Sequence, residues 1–333
     1  MYRHFLVLVD DSDAGIDTVA HAVALARSVG ARITFAHLAR ESQDRAREMS
    51  ADMVTAKAEA AARALGVPCE SAHATGTAAP HMLANATGTR GCDLVCIAAQ
   101  ALAARDGMGE ADADSSAAMF AAPDVPVLGC AVRRSPAAER VVAALYLAHR
   151  VTAGALCEGL AHSGLAHSGL AHSGLAHRGL AHRGPAAVPG APASAGTPDQ
   201  AHIEPILSRL DALRTPRLGP GDACLLSTLL RRRTSVVDAE LGELARQHRR
   251  GTALFAELAH AVAAVSSGNA RPARLDGALS DYAQFVWEYF GRKEGVIVPA
   301  AQRYLREDDW REIEAALVTA VAVATIDNTA ARA

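Results

Sequence analysis

The sequence predicts an α/β doubly wound five-stranded parallel sheet followed by an all-α four-helix bundle. Three observations carry that reading. The chain opens as apolar strand, acidic loop, amphipathic helix and second strand; the same alternation recurs to about residue 133; and beyond a low-complexity stretch only helical periodicity remains.

Residues 4–9, HFLVLV, are almost continuously apolar, as a strand covered on both faces should be. Asp10, Asp11, Ser12 and Asp13 then supply loop and helix-cap chemistry. Ile16, Val19, Ala20 and Val23 recur at helical spacing, Gly30 closes the helix, and Ile33, Phe35 and His37 fall on one face of the next strand. A second helix is predicted over 43–65, with Met49, Met53, Ala56 and Ala60 as its apolar stripe and Gly66, Val67 and Pro68 ending it. Strands follow at 69–75, 93–98 and 125–132, with helices at 80–87 and 115–122 between them. An open sheet of this kind holds ligands in loops at the carboxyl ends of its strands, which makes Asp10 and Asp11 candidates for ligand binding as well as for capping.

Composition narrows the function classes. A chain of 333 residues has room for two domains, and 50% hydrophobic content with only 4% aromatics means an interior of Ala, Val and Leu, packed mainly by helices. A net charge of −3 gives no electrostatic case for nucleic acid or a charged membrane as partner. The six cysteines are scattered without a CxxC pair and read as small buried thiols. Neither a signal peptide nor an apolar run of spanning length is read, so the expected location is cytoplasmic.

Residues 161–185 repeat AHSGL or a close variant, and a Pro/Ala/Gly stretch continues to residue 200. A glycine per repeat penalises a helix by about 1 kcal/mol each. Five-residue steps turn by about 140° around a helix, so His162, His167, His172, His177 and His182 would not converge on one face. The stretch is read as a solvated linker whose imidazoles bind metal adventitiously. Helices are expected on both sides of it, at 137–160, 203–213 with 222–232 as one interrupted helix, 241–265 and 276–305, four in all, with a tail helix at 308–323 opening from the acidic cap EDDW. Arg231 to Arg233 read as a solvated charge run.

The ending VDDS of the first strand, ARITFAHL, RGCDLVCIA and the final PVL strand together resemble a universal stress protein domain, here over residues 1–135. The resemblance implies a homodimer through the last strand. It also implies, in the members that bind ATP, an Asp at the end of strand one and a glycine motif closed by Ser or Thr. Asp10 matches the first element, with Asp11 a candidate beside it, and Ser115 or Ser116 can supply the hydroxyl. Gly107 and Gly109 are wrongly spaced, and Asp106, Glu110, Asp112 and Asp114 bring four carboxylates to the place of a triphosphate.

The second part resembles a hemerythrin-like, HHE cation-binding domain, with helix one at 138–160 and the remainder at 201–325. The carrying residues are LAHR around His149, the helix through His248, YAQFVWEYFGRKEGVIVPAA, and the closing DDWREI. Family members hold two irons through histidines and carboxylates. Carried over by position, His149 and His248 match ligands of helices one and three. Where a His-His-Pro-x-Glu motif belongs, the chain has Leu218, Gly219, Pro220, Gly221 and Asp222; helix four offers Tyr289, Lys293 and Glu294 in place of His, Glu and Glu. A lysine facing a dication is repulsive unless it turns outward, so the residual metal set is His149, Asp222, His248 and Glu294.

The function expected from these readings is a cytoplasmic, non-catalytic stress-response protein acting as a sensor or interaction scaffold. No nucleophile, base and orienting partner can be assembled from the residues. The alternatives are a hemerythrin-like sensor of oxygen, nitric oxide or iron that binds iron or zinc, and an ATP-responsive switch; no bound cofactor is the preferred expectation. The expected assembly is a homodimer through the N-terminal domain, without nucleic acid or membrane.

Overall fold

The computed structural model describes residues 2–39, 45–75, 88, 90–100, 125–162, 208 and 220–317. Strand β1 (His4–Val9) leads into α1 (Asp13–Val29), β2 (Arg32–Ala39), α2 (Arg45–Ala64), β3 (Cys69–Thr75), β4 (Leu94–Ala98) and β5 (Val127–Cys130). The five strands form one parallel sheet in the order β3-β2-β1-β4-β5, with Phe5 opposite both Ile33 and Leu94. The order reverses at β1, which puts the loop after that strand at the position where such sheets open a crevice. Gly30 ends α1 in the left-handed region, φ 69°, with its N–H donating to the Ala26 carbonyl, as its place in the sequence predicts.

The expected helices at 80–87 and 115–122, the repeat beyond His162 and the segments 203–213 and 318–323 lie outside the described residues apart from Ser208. The final strand is shorter than its apolar run, Val127–Cys130 within 125–132. It is the last strand of the sheet order, hydrogen-bonded on one side by β4 and leaving Val127 and Leu128 exposed. Cys92, Cys96, Cys130 and Cys157 are buried free thiols, in line with the sequence reading.

The helical region comprises α3 (Pro136–His162), α4 (Pro220–Arg233), α5 (Asp238–Ser266), α6 (Pro272–Arg292), a π segment (Lys293–Ile297), α7 (Val298–Tyr304) and α8 (307–317). The sequence predicts one helix over 276–305; the structure keeps its course but changes its hydrogen bonding. Pro299 has no N–H to offer the Gly295 carbonyl, and the ladder widens there, with the Val298 N–H donating to Lys293 O. The acidic cap of α8 appears as expected: Asp309 accepts from the Arg306 N–H at 2.8 Å and is gripped by Arg233 through two bonds of 2.8 Å. Arg231 to Arg233 are all exposed, as a solvated run should be, and Arg233 in addition pairs across to the α8 cap. By length and composition alone α3 is apolar enough to cross a bilayer, and 56% of its most apolar window is buried inside the protein, as in a core helix.

The two regions share a core. One sheet face, carrying Phe5, Val7, Ile33 and Phe35, is covered by α1 and α2, and the same apolar cluster runs on through Tyr146, Leu156, Phe290 and Ile297 of the helical region. The opposite face carries a smaller cluster around Leu6, Ala36, Val95 and Ile97. Helix α6 packs against α2 of the sheet layer as well as α3 and α5, so α2 serves both layers.

Candidate functional site: a buried charge chain behind strand one

The loop after β1 is built by its own side chains. Asp10 Oδ1 accepts from the Ser12 N–H at 2.8 Å, and Ser12 Oγ caps α1 by accepting from the Gly15 N–H at 3.0 Å. A β-carbon at Gly15 would collide with the Asp10 carboxylate, so this tight loop requires glycine there. Asp10, expected as a nucleotide ligand or a cap, closes a turn on the Ser12 N–H, and the cap itself is Ser12.

Asp11 points the other way, into the protein. Lys57 Nζ, from α2, lies 2.9 Å from Asp11 Oδ1 and 2.9 Å from Glu294 Oε2 in the π segment. Glu294 Oε1 in turn accepts from His149 Nδ1 of α3 at 2.7 Å. Four side chains from four segments make one chain: Asp11, Lys57, Glu294, His149. Lys57 is 4%, Glu294 3% and His149 0% exposed, so these charges are held without bulk water.

The titration behaviour of the four groups is consistent with one protonation pattern. Burial pushes the Lys57 ammonium down, yet the carboxylates of Glu294 and Asp11 outweigh it and hold its pKa above the ordinary lysine value. Burial pushes Glu294 up, but Lys57 and the His149 ring prevail and keep it below the usual carboxylate range. Burial takes His149 down to about 4, so the neutral ring donates its Nδ1 proton to ionised Glu294. Asp11 is raised by burial, against the pull of Lys57. His149 stacks on Phe290, with ring centroids 3.9 Å apart, and its Nε2 has no hydrogen-bond partner among the described residues.

Close backbone approach makes the chain possible. Gly291 and Gly295, four residues apart, face α2: a β-carbon on Gly291 would strike the Lys57 carbonyl and come within 2.9 Å of Ala60 Cβ, and one on Gly295 would strike Ala61. Small residues on both helices therefore bring Glu294 within reach of Lys57. Helix α3 and the residues just before it add a clamp on α1, in which Tyr146 donates to Asp17 at 3.1 Å, Arg134 pairs with the same carboxylate, and Arg150 pairs with Asp13. The cleft lined by Asp10, Asp11, Lys57 and Glu294 holds about 20 Å³, room for a water molecule; the loop after β4, which would complete a nucleotide site, lies outside the described residues.

Of the residues singled out in the sequence, His149 and Glu294 are brought together and Asp11 is joined to them through Lys57. His248 lies on α5, where its carbonyl accepts from Thr252, and no group of three or more metal-ligating side chains exists among the described residues. Asp222 lies on α4 with its side chain outside the described residues, as are Ser115 and Ser116 altogether. Lys57 escaped the sequence reading because nothing in TAKAEAAARA separates an inward lysine from an outward one. Lys293 does not turn out to solvent: it is buried, and it lines a separate cavity.

No curated protein matches the chain. Among solved structures it is similar to a universal stress protein in complex with cAMP, at 20% identity over 39% of this chain and 96% of that one, TM-score 0.31. It is also similar to the universal stress protein UspA from Lactobacillus plantarum, at 18% identity over 39% of this chain and 98% of that one, TM-score 0.28. The first 112 residues match the model of the Universal stress protein family, and the match stops short of the helical region.

Proposed function

We propose that this chain is a non-catalytic stress-response protein in which the α/β layer is a sensing or interaction scaffold and the helical region is its fixed cover. The observation that carries this reading is the position of the Lys57 ammonium between Asp11 and Glu294. A cation supplied by the protein neutralises the two carboxylates that a metal or a magnesium-bound phosphate would use. The helical part is read here as a hemerythrin-like arrangement in which an ammonium ion stands where a metal would.

Pairing of two copies through β5 belongs to the same proposal. It is supported by the family match of the α/β part and by Val127 and Leu128, each 38% exposed on that strand.

Metal analysis and ATP titration of the purified full chain, with the repeat histidines changed to glutamine, test the reading. The expected outcome is no stoichiometric metal after dialysis against a chelator and no saturable ATP binding. Stoichiometric iron or zinc that disappears with His149→Ala, or saturable ATP binding that disappears with Asp11→Ala, would overturn it.

A further inference from the structure

A second buried polar cluster sits at the amino ends of β1, β2 and β3, the opposite end of the sheet from the charge chain. His4 is 3%, Thr34 1% and Cys92 2% exposed. His4 Nδ1 lies 3.1 Å from the Arg90 carbonyl and Nε2 2.8 Å from Thr34 Oγ1, while Thr34 Oγ1 lies 3.0 Å from Glu70 Oε1. Arg90 donates to the same Glu70 oxygen at 3.0 Å, and Arg32 donates to the Arg90 carbonyl. The Asp93 carboxylate is taken up by the backbone N–H groups of Arg3 and His4. Cys92 Sγ stands 3.6 Å from both ring nitrogens, which puts it over the ring, and burial pushes its thiol up to about 11, so it stays neutral.

The protons of this cluster can be counted. A carbonyl only accepts, so Nδ1 carries a proton in either charge state of the ring, and the Thr34 hydroxyl has a single proton to give. With the ring neutral, that proton serves the Nε2 contact or the Glu70 contact, never both. A second ring proton satisfies both, since Nε2 then donates to Oγ1 and the hydroxyl is free to donate to Oε1. We propose that His4, Thr34 and Glu70 form a pH-sensitive relay across β1, β2 and β3, in which ring protonation reverses the His4–Thr34 hydrogen bond and turns the hydroxyl onto the carboxylate of edge strand β3. Burial and the Arg32 guanidinium hold the ring below its ordinary value of 6.5, against the pull of the Arg90 carbonyl, Glu70 and Asp93, so the reversal falls on the acid side of that value. The Glu70 side chain is 56% exposed, which brings the outer end of the relay to solvent.

The test is nitrogen-15 NMR of the full chain labelled at histidine, with the His4 ring identified by its proton contacts to Thr34 and Cys92. Near neutral pH the ring is expected as the Nδ1–H tautomer, with Nε2 an acceptor, and in acid it is expected to gain the Nε2 proton. Glu70→Gln is expected to lower the midpoint of that titration by on the order of half a pH unit. Thr34→Ser keeps the hydroxyl and retains this shift; Thr34→Val keeps the shape without the hydroxyl and reduces the shift to less than half, the remainder acting through space. A neutral ring protonated at Nε2 in place of Nδ1 would overturn the relay. So would a ring that stays neutral until the chain unfolds in acid, or a Glu70→Gln shift as large beside Thr34→Val as beside the natural threonine.

Discussion

Lys57 Nζ lies 2.9 Å from Glu294 Oε2, so an ammonium from the sheet layer and a carboxylate from the helical region meet inside one core. Asp11 meets the same ammonium from the loop after β1, and the neutral His149 ring of α3 donates to the other Glu294 oxygen. The two layers are therefore joined by charge as well as by apolar packing, at the point where an open α/β sheet otherwise presents a ligand crevice.

Removing the cation takes from the Asp11 and Glu294 carboxylates the ammonium they share. Lys57→Met is expected to lower unfolding stability by about 3–5 kcal/mol, the usual cost of breaking a buried pair from one side. Adding Glu294→Gln is expected to recover part of that loss. Urea unfolding of the two single variants and the double variant gives the coupling energy directly.

The acid limb of stability has a defined sign. His149 titrates at 6.5 when unfolded and at about 4 when folded, so the unfolded chain binds its proton first. Stability from this group is full above pH 6.5 and declines as the pH falls toward 4, by a total on the order of 3 kcal/mol. Glu294, whose folded value is depressed, adds stability that is lost at lower pH as its carboxyl protonates; Asp11, raised by burial, works in the opposite direction. At the alkaline end the raised value of Lys57 means stability held below the ordinary lysine pKa and lost as the pH rises through the folded one. His149→Asn keeps a donor for Glu294 and cannot titrate. Thermal midpoints between pH 7 and 4 should therefore fall less steeply in that variant.

The glycines of α6 and the π segment separate close packing from backbone propensity. Gly291→Ala and Gly295→Ala place a methyl group against the backbone or side chains of α2 and should each cost about 1–3 kcal/mol. Gly277, exposed on α6 with open space around it, should instead gain about 0.4–1 kcal/mol on replacement by alanine. Chemical denaturation of the three variants distinguishes the two effects by sign.

The sheet layer was legible because its signals are local: apolar runs, a Ser12 cap, a Gly30 stop and alternation at short range. The charge chain was only partly legible. His149 and Glu294 entered through a family resemblance, and their contact depends on Gly291 and Gly295 admitting α2, which no periodicity reveals. Lys57 is flanked by alanines that suit either a surface or a close helix contact; only the partner helix decides. Lys293 shows the same limit, since the widened turn before Pro299 fixes which way each residue of the KEG run faces.

Hydrogen exchange of the intact chain, compared with Lys57→Met, tests the joining of the two layers most directly. Amides of β1 and of α6 are expected to lose protection together, by the same free energy as the measured loss of stability, because both elements open in one cooperative step. Faster exchange confined to α6, with β1 protected as before, would contradict it and make the helical region a separately folding unit.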